Sequence, residues 1–327
     1  MEGRSFLMKI GMVLLSLALC LGLTGLGGAQ EKYPTRGITF IIGLNPGNST
    51  DLFLRSLCSA ASKILGQPII VMNKPGGSHA LAMVEIKNAK PDGYTIGLVP
   101  SGAMSPQLLH KVPYDFRKDF TFILQCMDYQ QGIVVPTDAP WKTIQELIAD
   151  VKNNPGKIRM GVLGLGEATH LATERLSLKI GVKFNTIPFG DSATALTNLL
   201  VGHVETAFTS STWVPNVEAG QLRLLVVAGA GDRRMARFPN IPTLMEIYGI
   251  DVPGFCTIGG PKGLPPHVVD TIHKAFKEAL KEQDFIKMAE KFLLPIVYRG
   301  SEDITEYIHK SFEMQAEVIK KLGLRKE

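Results

Sequence analysis

Short apolar runs alternate with amphipathic stretches along almost the whole chain, and that alternation restricts the fold more than any single motif. Runs at residues 38–44, 69–72, 94–99 and 121–127 have helical patterns between the first three. The same order resumes with runs at 132–136, 158–162, 183–189, 204–208 and 222–228. It predicts an α/β fold with mostly parallel sheets. Helices are expected at 141–151 and 193–200, the second stopped by Gly202 at the C-terminal position that glycine prefers. In the tail, Pro265 and Pro266 open a helix with Ile272, Ala275, Phe276, Ala279 and Leu280 on one face, and another helix is expected at 302–322. Turn-rich joints at 128–132 and 249–254 divide the chain into a first lobe, a middle lobe and a return segment.

The first strand leads through Leu44, Asn45, Pro46 and Gly47 into a helix whose Leu54, Leu57, Cys58, Ala61 and Leu65 share a face. Asn48 or Ser49 can cap its first turn, and the remaining N–H groups there make an anion site with the helix dipole. The dipole supplies at most ~2 kcal/mol, whereas micromolar binding needs about 8 kcal/mol. Further donors must converge from elsewhere. Asp51, three residues after Asn48, is expected to close a capping box, since a carboxylate aimed into the site would repel an anion.

Three more strand ends offer such donors. Between Gly161 and His170, Thr169 stands where a dinucleotide fingerprint needs its third glycine, so this junction reads as an open helix start with the Thr169 hydroxyl and His170 beside it. Phe189, Gly190 and Asp191 precede another helix, and Ser101 and Gly102 follow the strand at 94–99. Ligands of open α/β sheets bind outside the carboxyl ends of the strands, so these junctions should share a rim or face each other across a cleft.

Other classes are disfavoured. A net charge of +5 with both signs interspersed forms no basic stripe, which argues against nucleic acid. Ser49 lies in a segment that begins like a nucleophile elbow, but Asp51 replaces its final glycine; the seven histidines show no metal-ligand spacing. No catalytic residue, metal or cofactor is expected. Arg4 and Lys9, an apolar stretch at 10–23 and Gly27, Gly28 and Ala29 read as an export signal cleaved near Ala29, which places the mature chain in the periplasm. Cys20 is lost with it. Cys58, Cys126 and Cys256 each sit among apolar neighbours, so buried free thiols are expected rather than a disulfide scaffold.

Several segments in a fixed order carry a resemblance. Tyr33-Pro-Thr-Arg36, the Pro46 to Asp51 loop, Leu65-Gly-Gln-Pro68, Asn73-Lys-Pro-Gly-Gly77 and Pro91-Asp-Gly-Tyr-Thr95 come first. Pro113-Tyr-Asp115, Lys118-Asp-Phe120, Asn154-Pro-Gly-Lys157, Thr169-His-Leu171, Ala219-Gly-Gln-Leu222 and Pro239-Asn-Ile-Pro-Thr243 follow. With this order and spacing the chain resembles the substrate-binding proteins of tripartite tricarboxylate transporters, the Bug receptors, from Tyr33 to Leu324.

The resemblance implies a two-domain periplasmic-binding-protein fold of the Venus flytrap type. One domain would comprise 30–130 plus 251–327 and the other 131–250, after a signal peptide at 1–29. It also implies a non-enzymatic receptor that holds a small organic acid between the lobes through backbone N–H groups and waters, and delivers it to membrane permease subunits. The acid would be a di- or tricarboxylate, an amino acid or an aromatic acid, and the receptor a monomer. The ligand set expected from the residues and the resemblance together is Leu44, Asn45, Gly47, Asn48, Ser49, Thr50, Ser101, Gly102, Thr169, His170, Phe189, Gly190 and Asp191. Leu44 replaces the family's usual aromatic, Asn48 a glycine, Ser78 and His79 two glycines, and Phe189-Gly-Asp191 a Tyr-Lys-Gly pattern. Asp191 is thus a candidate to accept a cationic or hydroxylated group. A sensory receptor feeding a membrane signalling protein is the alternative reading; a hydrolase using Ser49 is a remote one.

Overall fold

Strand β1 (Ile38–Ile42) buries all but one of its residues, as a strand covered on both faces must. The computed structural model describes residues 32–229 and 233–325, so the expected export signal lies outside the described residues. Residues Arg36–Glu327 form one unit that holds two sheets.

In the first sheet β1 pairs in parallel with β2 (Ile69–Asn73) and β3 (Thr95–Pro100). After β4 (Phe120–Asp128) the chain crosses at Tyr129 into the second sheet, made of β5 (Gln130–Pro136), β6 (Arg159–Val162), β7 (Asn185–Pro188), β8 (Thr206–Ser210) and β9 (Leu222–Gly229). It returns through β10 (Phe255–Pro261) and ends its strands at β11 (Ile296–Arg299). The orders are β11-β4-β10-β3-β1-β2 and β7-β6-β8-β5-β9. Both sheets are mixed rather than mostly parallel. β10 runs antiparallel to β3 and β4, and β5 antiparallel to β8 and β9, because the strands flanking each crossing enter their sheet against its βα units.

The two crossings lie side by side, with the Tyr129 N–H donating to the Gly254 carbonyl at 2.8 Å. A Cβ on Gly254 would meet the Tyr129 carbonyl oxygen at 2.8 Å, and one on Gly229, where φ is +77°, would collide with it. Only glycine fits both places.

The return segment adds more to the first sheet than its two expected helices. β10, β11 and the Gln283–Lys291 helix were not anticipated. Helices Pro266–Ala279 and Gln283–Lys291 cover the Ser49–Leu65 helix and β1, with Phe276 set 6.1 Å from Phe40 and Phe285 edge-on to Phe53 at 4.8 Å. Each such ring, taken fully out of water, contributes about 1.5–3 kcal/mol. The Ser301–Lys321 helix packs on β4 and reaches the Ala168–Ile180 helix of the second sheet. There Tyr307 donates to the Asp251 carboxylate at 2.9 Å, and Arg175 donates to the Asp251 carbonyl. The three described cysteines are free and buried, as expected.

Candidate functional site

The carboxyl ends of β3, β6 and β8 meet around a cavity of about 270 Å³. The first sheet contributes Ser78, His79, Pro100, Ser101, Gly102 and Ser105; the second contributes Leu163, Glu167, Ala168 and Ser210. Tyr129, Gln131 and Pro253 come from the crossings, and Gln315 from the last helix. The two sides already touch: the Ser105 hydroxyl donates to the Gly166 carbonyl at 3.1 Å. A roomier hollow of about 550 Å³ lies between residues 233–237 and the Gln283–Lys291 helix. Its walls are mostly apolar and two of its arginines are engaged, Arg234 by Glu246 and Arg237 by Glu218.

Two helices of adequate length begin at the smaller cavity, and neither has a side-chain cap. His79 precedes Ala80–Asn88 and Glu167 precedes Ala168–Ile180, without a capping hydrogen bond from either side chain. The Ala80 N–H is taken by the Gly77 carbonyl at 3.1 Å, and the other first-turn N–H groups of the two helices receive no acceptor from the side chain before them. Ser78 and His79 both have positive φ, 48° and 74°, a conformation that costs a non-glycine residue of order 1 kcal/mol or more. The His79 ring lies between two glycines. A Cβ on Gly43 would fall 2.9 Å from Nδ1, and one on Gly102 3.3 Å from Nε2. Burial lowers its pKa to about 4, so the imidazole is neutral at pH 7, and its buried Nδ1 has no hydrogen-bond partner.

The other polar groups are uncharged or acceptors. Tyr129 shares a 2.9 Å hydrogen bond with Thr50, and burial pushes its phenol pKa well up, so it stays protonated. Ser210 is hydrogen-bonded to Ser192 at 2.7 Å. Gln131, 3% exposed, has an unpartnered side-chain oxygen. Among the described residues no lysine or arginine lines the cavity. Glu167 is its one carboxylate among the described residues, and burial raises that pKa.

Of the residues expected from sequence, Ser101 and Gly102 line the cavity, and Thr50 touches it through Tyr129. The rest are placed otherwise. Asn48 accepts from the Asp51 N–H at 2.9 Å, capping Ser49–Leu65. Asp51 is buried and accepts from the Gly47 N–H at 2.8 Å, Asn73 at 2.8 Å and Arg55 at 3.0 Å. It reaches back one residue beyond the cap itself. Burial works against its charge, but these donors hold its pKa below the usual value. Leu44, Asn45, Gly47 and Ser49 are not among the lining residues.

In the second sheet, Thr169 accepts from the Leu163 N–H at 3.1 Å, and His170 Nδ1 accepts from the Gly166 N–H at 3.1 Å. The second His170 nitrogen faces Glu174, 4.0 Å away, along a different hollow. Phe189 packs over Gly161, and the Gly190 N–H donates to Leu163. Asp191 caps Ser192–Leu200 through the Thr194 N–H and hydroxyl, both at 2.8 Å, which also keeps its pKa low. Tyr129, Gln131, Ser105, Glu167, Ser210 and Gln315 line the cavity and were not among the residues expected from sequence. A usable signal was the pair Gln130 and Gln131 at the start of an otherwise apolar strand.

Two sheets joined by paired crossings, with strand ends of both meeting at a small polar cavity, define a cleft-type solute receptor. The chain belongs to the tripartite tricarboxylate transporter family receptors (TctC), whose sequence profile matches residues 53–324. It is 37% identical to the UPF0065 protein in the gbd 5′ region of Cupriavidus necator, over all of this chain and 99% of that one. Its fold matches a TctC solute-binding protein from Polaromonas with a TM-score of 0.80 and 31% identity, covering 89% of this chain and all of the other. A protein of R. palustris solved with adipate shares the fold at a TM-score of 0.73 and 24% identity, covering 89% of this chain and 99% of its own. The family is one of receptors, and the Polaromonas protein is a solute-binding protein.

Proposed function

We propose that this chain is an exported periplasmic receptor which captures a small organic carboxylate in the 270 Å³ cavity and delivers it to the membrane subunits of a tripartite transporter. The observation that carries this reading is the pair of uncapped helix starts, one from each sheet, at a single cavity. Open N–H groups and the positive ends of two dipoles suit an anion without any side-chain cation. Residues 30–130 with 251–327 act as one domain and 131–250 as the other, turning at Tyr129 and its neighbour Gly254. A ligand touching both sides favours the closed form because it gains contacts there that the open form lacks. Ser101, Gly102, His79, Tyr129 and Glu167 are the proposed contacts, with Thr50 acting through Tyr129.

Thermal unfolding with a panel of mono-, di- and tricarboxylates, amino acids and neutral sugars tests the reading. A true ligand at 100 times its Kd adds about 2.7 kcal/mol of stability. Stabilisation by sugars alone would overturn it.

A further inference from the structure

We propose that Glu167 makes this cavity a site for a zwitterion: a small molecule whose carboxylate meets the helix starts and whose ammonium pairs with the Glu167 carboxylate. The inference rests on the carboxylate reading above and narrows it. Three observations support it.

The first is position. Glu167 lines the cavity and folds back over Gly164, where a Cβ would lie 3.1 Å from its Oε1. Its side chain is not spent on capping its own helix, and no ion pair engages it among the described residues. The second is the charge around it. His79 and Tyr129 are neutral and, among the described residues, no lysine or arginine lines the wall, so only the partial positive charge of the helix starts faces this carboxylate. A ligand presenting a second carboxylate there would meet like charge.

The third is the hydrogen-bond balance. The buried Gln131 oxygen is an unpartnered acceptor at the same cavity. Together with the Glu167 carboxylate it places side-chain acceptors on the wall, and an ammonium brings three donors to meet them. The volume, about 270 Å³, admits a molecule of amino-acid size. Asp191, the sequence's candidate to accept a cationic or hydroxylated group, already accepts from Thr194, and the proposal gives the cationic end to Glu167 instead.

Isothermal titration of the mature chain with the standard amino acids and 4-aminobutyrate, each beside its amine-free monocarboxylate and the matching dicarboxylate, tests the proposal. The tightest ligand should be a zwitterion, at least tenfold tighter than its amine-free partner. E167Q should weaken that ligand tenfold or more and leave dicarboxylates unchanged or tighter. Unliganded E167Q and E167S are compared by circular dichroism and thermal midpoint, so that either folded variant supplies the readout. A dicarboxylate or monocarboxylate binding tightest, or a zwitterion indifferent to both substitutions, would overturn the proposal and leave the carboxylate reading standing. Failure of every acid to bind would sink both.

Discussion

The four helices of eight residues or more that follow the parallel strands β1, β2, β6 and β7 fall into two kinds. Ser49–Leu65 and Ser192–Leu200 are closed by their own side chains, Asn48 and Asp191. Ala80–Asn88 and Ala168–Ile180 follow His79 and Glu167, whose side chains make no cap. The capped pair spends N-terminal donors on its own side chains; the uncapped pair does not, although the Ala80 N–H is taken by the Gly77 carbonyl, and it is the uncapped pair that borders the cavity. Under the proposed function, a helix start serves the ligand only where the protein leaves it unfinished.

The contrast breaks most visibly at Asp51. Asp51→Ala strands donors on Gly47, Arg55 and Asn73 around a buried position, and should cost roughly 3 kcal/mol in chemical denaturation, in the range for unpairing buried charged groups. A loss under 0.5 kcal/mol would show that the first junction is not held this way. Asn48→Ala and Asp191→Ala should each cost about 1 kcal/mol, the usual value of an N-cap, while ligand affinity moves less than twofold. A large affinity loss in either would return the capped junctions to the binding site.

On the uncapped side, acidity separates the two kinds. The His79 pKa falls from 6.5 to about 4 on folding, so between these values the unfolded chain binds a proton that the folded chain does not. Stability should therefore decline as pH drops from about 6.5 towards 4, by at most ~1.4 kcal/mol per pH unit from this group. Denaturation curves of wild type and His79→Gln, compared across that window, should converge at the acid end. Parallel curves would mean that the ring is not buried neutral. The smallest effect expected is at Ser78, where glycine accepts the φ of 48° without strain; Ser78→Gly should stabilise the protein by about 0.5 kcal/mol.

Much of this fold is legible in the chain. Nine strands lie within a few residues of the expected runs, because buried parallel strands and amphipathic helices differ in period. β10 is less readable: Gly259, Gly260 and Pro261 look like a turn, but glycine there permits close packing against Thr121 and Val99. The site was half legible. Ser101 and Gly102 follow from a strand end, yet Thr169 and His170 were preferred over Glu167 although all three stand at one helix start. Their side chains turn back onto the backbone of Leu163 and Gly166, a choice made by hydrogen bonds that no spacing encodes. Ser78 and His79 stood out as replacements for glycine, but only the left-handed backbone explains how a side chain there enters the cavity.

The central claim is tested most directly by a crystal structure of the mature chain grown with its tightest carboxylate. The account predicts ligand density between Ser101 and Glu167, with contacts to both sheets. Density at the capped turn of Gly47 and Ser49, or in the hollow beside residues 233–237, would contradict it.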